Sequence, residues 1–304
     1  MSPTSQGSIR LFRFAQITVF LHWSWFIVAW LEIDRRAGNY SSMLWNGFEY
    51  LSLFLIVLLH EFGHSLACRQ VGGRADQIVL WPLGGVAYVA PPPRPGANLW
   101  SIAAGPLVNV LLIPVFMLLE LLSASLGWSR SIPDLHHLIG AVTWINFVLL
   151  IFNILPIYPL DGGQILRSLL WFVIGRVRSL QIAVIIGFIG CAAGGYMAWR
   201  MGSIWIGILA VFMLSNCVSG WKHAQALREL DAAPRHRGFA CPSCHQAPVA
   251  GPLWRCGQCG AGFDTFDTRG VCPQCANSFA TTLCPECGAQ HPLAAWSETA
   301  SRPL

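Results

Sequence analysis

The sequence predicts an α-helical polytopic membrane protein: about six transmembrane helices, a small β-hairpin between the second and third, and a small cysteine-rich region at the C-terminal end. Three observations carry this reading. The chain is 54% hydrophobic and only 11% charged, whereas soluble domains carry about 25% charged residues. Its apolar residues gather in runs near the roughly 20 residues that a bilayer-crossing helix needs. Eight of its eleven cysteines fall in the last quarter.

Six spans are expected, at about 15–32, 47–68, 99–122, 138–158, 179–198 and 202–220. The first begins near Phe14 and has no small-residue cleavage site, so it reads as a retained span rather than a removable leader. Between the second and third spans lies QIVLWPLGGVAYVAPPPRPG. Its β-branched residues flank Gly84-Gly85, which predicts the hairpin, and its prolines end regular structure. The segment is apolar enough to dip into the membrane, provided protein or water satisfies its backbone. An even number of spans puts both termini on one side. Basic residues choose the side: Arg35, Arg36, Arg130 and Arg200 are the few on one face, and the larger set, including Arg10, Arg69, Arg167 and Lys222, is on the other. Both termini are therefore expected to be cytoplasmic, with the chain in the cell (inner, cytoplasmic) membrane.

Histidines and acids are costly inside a membrane and are usually functional there. His60-Glu61-Phe62-Gly63-His64 follows the apolar run LSLFLIVLL. Residues four apart share one helix face, so His60 and His64 can reach one metal ion. Glu61, about 100° round the axis, can contact a metal-bound water without ligating. The structural alternative is a buried polar pair used in helix packing. A catalytic zinc usually takes a third protein ligand and keeps an open position. Glu49 and Glu120 sit near span ends, where snorkelling is expected. Asp161 stands in NILPIYPLDGG. There Pro156 and Pro159 break a helix, and Gly162-Gly163 permits a tight turn and close backbone approach. A capping carboxylate is the bland reading of Asp161; beside an HExxH it is favoured as the third ligand.

In these motifs the sequence resembles the site-2 protease family of intramembrane zinc metalloproteases. HEFGH matches the family's HExxH. Asn153-Ile-Leu-Pro156 through Leu160-Asp161-Gly162-Gly163 matches its second motif. Leu83-Gly84-Gly85-Val86 and Ala104-Gly105-Pro106-Leu107-Val108-Asn109 fall in order between them, and His22 lies where relatives often carry a histidine. The resemblance covers about residues 9–220. It implies His60, His64 and Asp161 as ligands of one catalytic Zn2+, Glu61 as general base and transmembrane protein substrates cut near the cytoplasmic face. Asn153 becomes a candidate for polarising the scissile carbonyl or holding substrate. Gly84-Gly85 becomes a candidate for holding unwound substrate by strand addition. Asn109 and His22 are expected to be structural.

Past Gly220 the composition turns polar. The expected organisation is a membrane-embedded metalloprotease domain (1–220), a linker (221–240), tandem zinc ribbons (241–290) and a tail (291–304). Each CxxC makes one knuckle and two knuckles make a Cys₄ zinc site. Consecutive pairing is expected: Cys241, Cys244, Cys256 and Cys259 in one ribbon, and Cys272, Cys275, Cys284 and Cys287 in the other. Crossed pairing is the alternative, and His245 and His291 are substitute ligands of lower weight. The count is one catalytic and two structural zinc ions. Redox chemistry is disfavoured by a reducing cytoplasm and by the lack of a βαβ pattern. Arg255, Arg269 and Arg302 against Asp264, Asp267, Glu286 and Glu298 leave no basic stripe, so nucleic acid is not an expected partner; a cytoplasmic protein is. The competing functions are a catalytically silent binding relative and a transporter; for the latter no internal repeat is evident.

Overall fold

The computed structural model describes residues 7–35, 38–81 and 84–297, and they divide into two compact units at Trp221/Lys222. The first unit begins with strands β1 (Ser8–Phe14) and β2 (Ile17–His22), followed by helices α1 (Ser24–Arg35) and α2 (Met43–Gln70). Strands β3 (Arg74–Trp81) and β4 (Gly84–Ala90) form the predicted hairpin. Helices α3 (Pro95–Ser125), α4 (Trp128–Ser131), α5 (Pro133–Ile154), α6 (Asp161–Ile174), α7 (Arg176–Met201) and α8 (Ile204–Ala232) follow. Among the described residues, five helices are long and apolar enough to cross a membrane: α2, α3, α5, α7 and α8. The chain is thus a multi-pass, mostly helical membrane protein.

The expected first span, 15–32, is not one helix. It contains a strand, β2, and a helix of 12 residues, α1. The cause is visible in ITVFLH. Ile17, Val19 and Leu21 are buried and alternate with Thr18, Phe20 and His22, a period of two that only a strand places on one face. A run of apolar residues hides that period from hydropathy alone. Ala15 and Gln16 turn the chain before it, with φ of 46° and 61°. Arg69, near the end of α2, donates to the carbonyls of both turn residues. Tyr50, in the first half of α2, donates to Trp25 O at the start of α1 (3.0 Å). Strand and helix therefore run antiparallel to α2, roughly 20 Å as strand and about 18 Å as helix. The segment covers a membrane-sized distance without being a membrane-length helix.

The four strands form one sheet in the order β1-β2-β3-β4. The outer pairs are antiparallel, and β2 pairs parallel with β3, Val19 opposite Ile78. The hairpin is therefore half of a larger sheet. Its inner face packs Ile17, Val19, Leu21, Ile78 and Leu80 against Val57 and Leu58 of α2. That packing holds β4 alongside the HExxH turns. Glu49 departs from its expected snorkelling: it is buried and accepts a hydrogen bond from Tyr40 Oη at 2.7 Å.

The second unit contains the cysteine knuckles and two small hairpins: β5 (Trp254–Arg255) with β6 (Gly262–Phe263), and β7 (Thr281–Leu283) with β8 (Gln290–Pro292). Its packing reaches beyond the knuckles on both sides. His236 N bonds Pro248 O and Ala240 N bonds Trp296 O. Trp296 is fully buried against Phe266, Cys241 and Cys284, with Phe239 beside them. Stretches of both the expected linker and the expected tail are thus built into this unit. Residues 298–304 of the expected tail lie outside the described residues.

Candidate metal centre

His60, Glu61 and His64 are each 6% exposed, on the turns of α2 that pack against α3. Two glycines make that packing close. A Cβ on Gly63 would lie 2.6 Å from Ala104 O. A Cβ on Gly105 would strike the His64 ring and come within 2.8 Å of His60 Nε2. The glycine inside HEFGH and the one in AGPLVN therefore let a helix backbone pass directly beside the two imidazoles.

Asp161 is the first residue of α6, reached from α5 by the loop 155–160. Its Oδ2 lies 3.0 Å from His60 Nε2 and 3.4 Å from His64 Nε2, and the two Nε2 atoms are 3.1 Å apart. The fold thus brings together the three residues singled out in the sequence, two of them on one helix and the third a hundred residues away. Gly162 and Gly163 serve the close approach. A Cβ on Gly162 would overlap the carbonyls of Ile154 and Leu155, and one on Gly163 would overlap the backbone of Ile157 and Tyr158.

The outer nitrogens of the two rings decide what the inner ones are. His64 Nδ1 is 2.9 Å from Ser101 O. A carbonyl only accepts, so Nδ1 carries a proton, and in the neutral ring Nε2 keeps a lone pair. His60 Nδ1 is 2.7 Å from Asn109 Oδ1. Asn109 Nδ2 in turn donates to Asn146 Oδ1 (2.8 Å), and Asn146 Nδ2 donates to Asn109 O (3.0 Å). The pair of asparagines is saturated only with Oδ1 facing His60, which gives His60 the same tautomer. In the neutral rings two lone pairs and one carboxylate oxygen then converge in a buried space, a donor set suited to a cation. Ligand atoms about 2.0–2.1 Å from a tetrahedral zinc stand roughly 3.3 Å apart, and the separations here match. The residues present fit a zinc ion.

Asn109, expected to be structural, is bonded directly to His60. Asn146 went unpredicted; its signal was an amide inside the apolar run AVTWINFVLL, where polar groups are costly. Ser101 left no signal, because its backbone carbonyl is what acts. Glu61 stands outside the metal group. Its Oε2 accepts the Ala87 amide of β4 at 2.9 Å, and a Cβ on Gly85 would overlap its carboxylate. Gly85 is thereby placed at the site, and Gly84 begins β4 opposite Trp81; Leu83 lies outside the described residues. Asn153 is half-buried in the last turn of α5. His22 is not among the grouped ligands: it contacts Ser24 Oγ and stacks on Trp81 with ring centroids 3.9 Å apart.

The second unit gathers its cysteines differently from the expectation. Cys241 and Cys244 group with Cys284 and Cys287, and Cys256 and Cys259 with Cys272 and Cys275. Consecutive pairing is therefore replaced by a nested one, an inner site enclosed by an outer. Closest sulfur pairs are 3.5–3.8 Å apart. Four sulfurs about 2.3 Å from a tetrahedral zinc would be about 3.8 Å apart, while a disulfide holds them near 2.05 Å. Each knuckle is built alike: the first cysteine's carbonyl accepts the amide four residues on, at 2.9 Å. That fifth residue takes positive φ, being His245, Gly260, Ala276 or Gly288. What decides the pairing is the reversal between Cys259 and Cys272. Asp264 is 8% exposed and accepts from the amides of Gly251, Phe266 and Asp267 and bonds His236. Burial raises its pKa, but these donors outweigh burial and hold it below the ordinary carboxylate value. The turn it organises returns the third knuckle to the second. Spacing alone permits either pairing. His245 and His291 are not members of either group.

A multi-pass helical protein with a buried HExxH, a distant carboxylate beside it and a strand along the glutamate has the layout of an intramembrane metalloprotease. Comparison with known proteins agrees. Residues 48–131 and 129–194 match the model of Peptidase family M50. A zinc metalloprotease of Methanocaldococcus jannaschii is 34% identical over 180 residues, 59% of this chain and 50% of that protein. Stage IV sporulation protein FB of Bacillus subtilis is 35% identical over 120 residues, 38% of each chain. The solved site-2 protease of M. jannaschii aligns with a TM-score of 0.52 and 28% identity, covering 70% of this chain and 94% of that one. Residues 48–194 of the chain are thus similar to peptidase family M50, the site-2 proteases. The chain spans about half the length of the first of these relatives.

Proposed function

We propose that this chain is a zinc-dependent intramembrane protease that hydrolyses peptide bonds in or near the transmembrane segments of other membrane proteins. The observation that carries the reading is the buried convergence of His60, His64 and Asp161, whose two Nε2 atoms and carboxylate oxygen lie within 3.4 Å of one another, beside a glutamate that is not one of them. Zinc, when bound by these three residues, supplies Lewis acidity and lowers the pKa of water. Glu61 takes a proton from the attacking water and returns it to the leaving amine. The Ala87 amide holds its carboxylate in place. Asn109 and Ser101 orient the imidazoles. Asn153, from the loop-facing end of α5, polarises the scissile carbonyl.

A membrane helix buries its peptide bonds in its own hydrogen bonds, so substrate must open before it is cut. β4 is the terminal strand of its sheet and runs past Glu61. An opened substrate adding to β4 as a strand would lay its backbone beside the base. Basic residues concentrate at the end of α2, in the 167–178 stretch and after α8, which places both termini and the ribbon unit in the cytoplasm. There the two Cys₄ sites hold structural zinc and offer a surface to a cytoplasmic protein.

The test is co-expression with single-span membrane proteins. Glu61→Gln should abolish cleavage and keep its zinc; Gly85→Ala should slow cleavage and keep its zinc. Equal cleavage by wild type and Glu61→Gln would overturn the proposal.

A further inference from the structure

Asp161 is the one member of the metal group that does not sit on α2. It follows the loop 155–160, so something must hold that loop for the carboxylate to stay within 3.4 Å of both rings. The structure shows what does. Ile157 and Tyr158 of the loop are seated against α7 and α8 at positions that have no Cβ. A Cβ on Gly190 would lie 2.5 Å from Ile157 Cγ2. A Cβ on Gly187 would lie 2.6 Å from Tyr158 O and 3.2 Å from its Cβ. A Cβ on Gly220 would lie 2.8 Å from the Tyr158 ring. Fully buried Cys217 donates its thiol to Tyr158 O at 3.2 Å. Two helices thus present three glycines and a small hydrogen-bond donor to the same two residues. The glycines of α7 are not all alike in this: Gly195, on the same helix, has nothing within 4 Å of its would-be Cβ.

We propose that Ile157–Tyr158 is a plug in a socket formed by Gly187, Gly190, Cys217 and Gly220, and that this socket positions Asp161 for the metal. These are positioning residues, acting through Asp161; the proposal rests on the reading of Asp161 as a ligand. The physical reason is that close packing transmits displacement. A methyl group added to the socket floor has no room, so the loop must lift, and the carboxylate three residues on lifts with it. Cys217 and Gly220 lie beyond residue 194, outside the stretch matched by the family model. The α8 half of the socket is therefore a feature of this chain beyond the matched region.

The experiment measures zinc release from the purified full chain into excess chelator. The zinc lost on His64→Ala defines the fraction that belongs to this site, apart from the cysteine sites. Gly190→Ala should release that fraction about 10-fold faster than wild type, in the range seen when groups supporting metal ligands are removed. Gly195→Ala should release it at the wild-type rate. Ile157→Ala, which adds no atom anywhere, should also release faster. The double variant Gly190→Ala/Ile157→Ala moves volume from plug to socket and should return toward wild type, which a general loss of stability would not do. Thermal unfolding of each variant separates loosening of the site from loss of fold. Wild-type release rates in both folded single variants would overturn the socket while leaving the ligand assignment intact, as would a double variant no slower than the singles. A wild-type chain with no His64-dependent zinc would overturn the ligand assignment itself.

Discussion

The two units each gather a group of side chains that could hold a metal ion, and they do so in opposite ways. In the membrane unit the ligands are few and come from elements packed for other reasons. α2 and the sheet bury an apolar core beside His60 and His64, and each imidazole has an outer partner that fixes it. In the second unit the ligands are themselves much of the core. Cys241 and Cys284 pack with Phe266 and Trp296, and Cys256 and Cys272 with Phe263. The strands there are two or three residues long. A unit so small cannot bury enough apolar surface to hold itself together and relies on metal or cross-links. The difference teaches that in the first unit fold makes the site, and in the second the site makes the fold.

That contrast can be broken by removing metal. Structural zinc contributes about 10–16 kcal/mol to small zinc-finger folds, so prolonged chelation should unfold the second unit. Limited proteolysis should then cut between residues 234 and 297, while circular dichroism of the membrane helices stays near its starting value. Loss of the membrane helices at the same chelator dose would erase the distinction. Next in size is the nested pairing. Cys241→Ala with Cys284→Ala removes two ligands of one site and should cost one zinc ion, by metal analysis of the purified chain. Cys241→Ala with Cys256→Ala strikes both sites and should cost two. Consecutive pairing reverses these counts.

A smaller effect is expected where the membrane site depends on its supports. Asn109→Ala leaves His60 without its acceptor, and support of this kind is worth about 10–100-fold in metal affinity. A chelator titration of the His64-dependent zinc measures it; Asn146→Ala, one bond further out, should weaken binding in the same direction by less. The smallest effect is in a knuckle. Ala276 sits at φ 59°, where two of its three counterparts are glycine. Ala276→Gly should stabilise the second unit by roughly 0.5–1 kcal/mol, read as a higher unfolding midpoint with zinc bound. No gain would show that the turn tolerates alanine without strain.

Much of this architecture could be read before the fold was seen. HEFGH and the DGG turn identified the three members of the metal group, and the proline and glycine punctuation located the hairpin. Three things could not be read. The first span passed for a helix because Ile17, Val19 and Leu21 run on within a few residues into the apolar α1, so the strand period was masked in the average. Asn146 carried a weak signal, since a lone amide in an apolar helix gives no hint of which partner it meets. The knuckle pairing was silent because four identical CxxC units have no individual label; the turn at Asp264 chooses among them.

The sequence by itself determined which groups can hold metal, because ligand chemistry and helical spacing are local properties of residue type and separation. The tertiary structure alone decided which carboxylate, which amide and which cysteine knuckle meet. Those meetings depend on close approach between distant segments: Gly63 and Gly105 between α2 and α3, Gly162 against the end of α5, and the glycines of α7 and α8 under Tyr158. A glycine states only that there is room, and what fills the room is set by the packing of the whole chain.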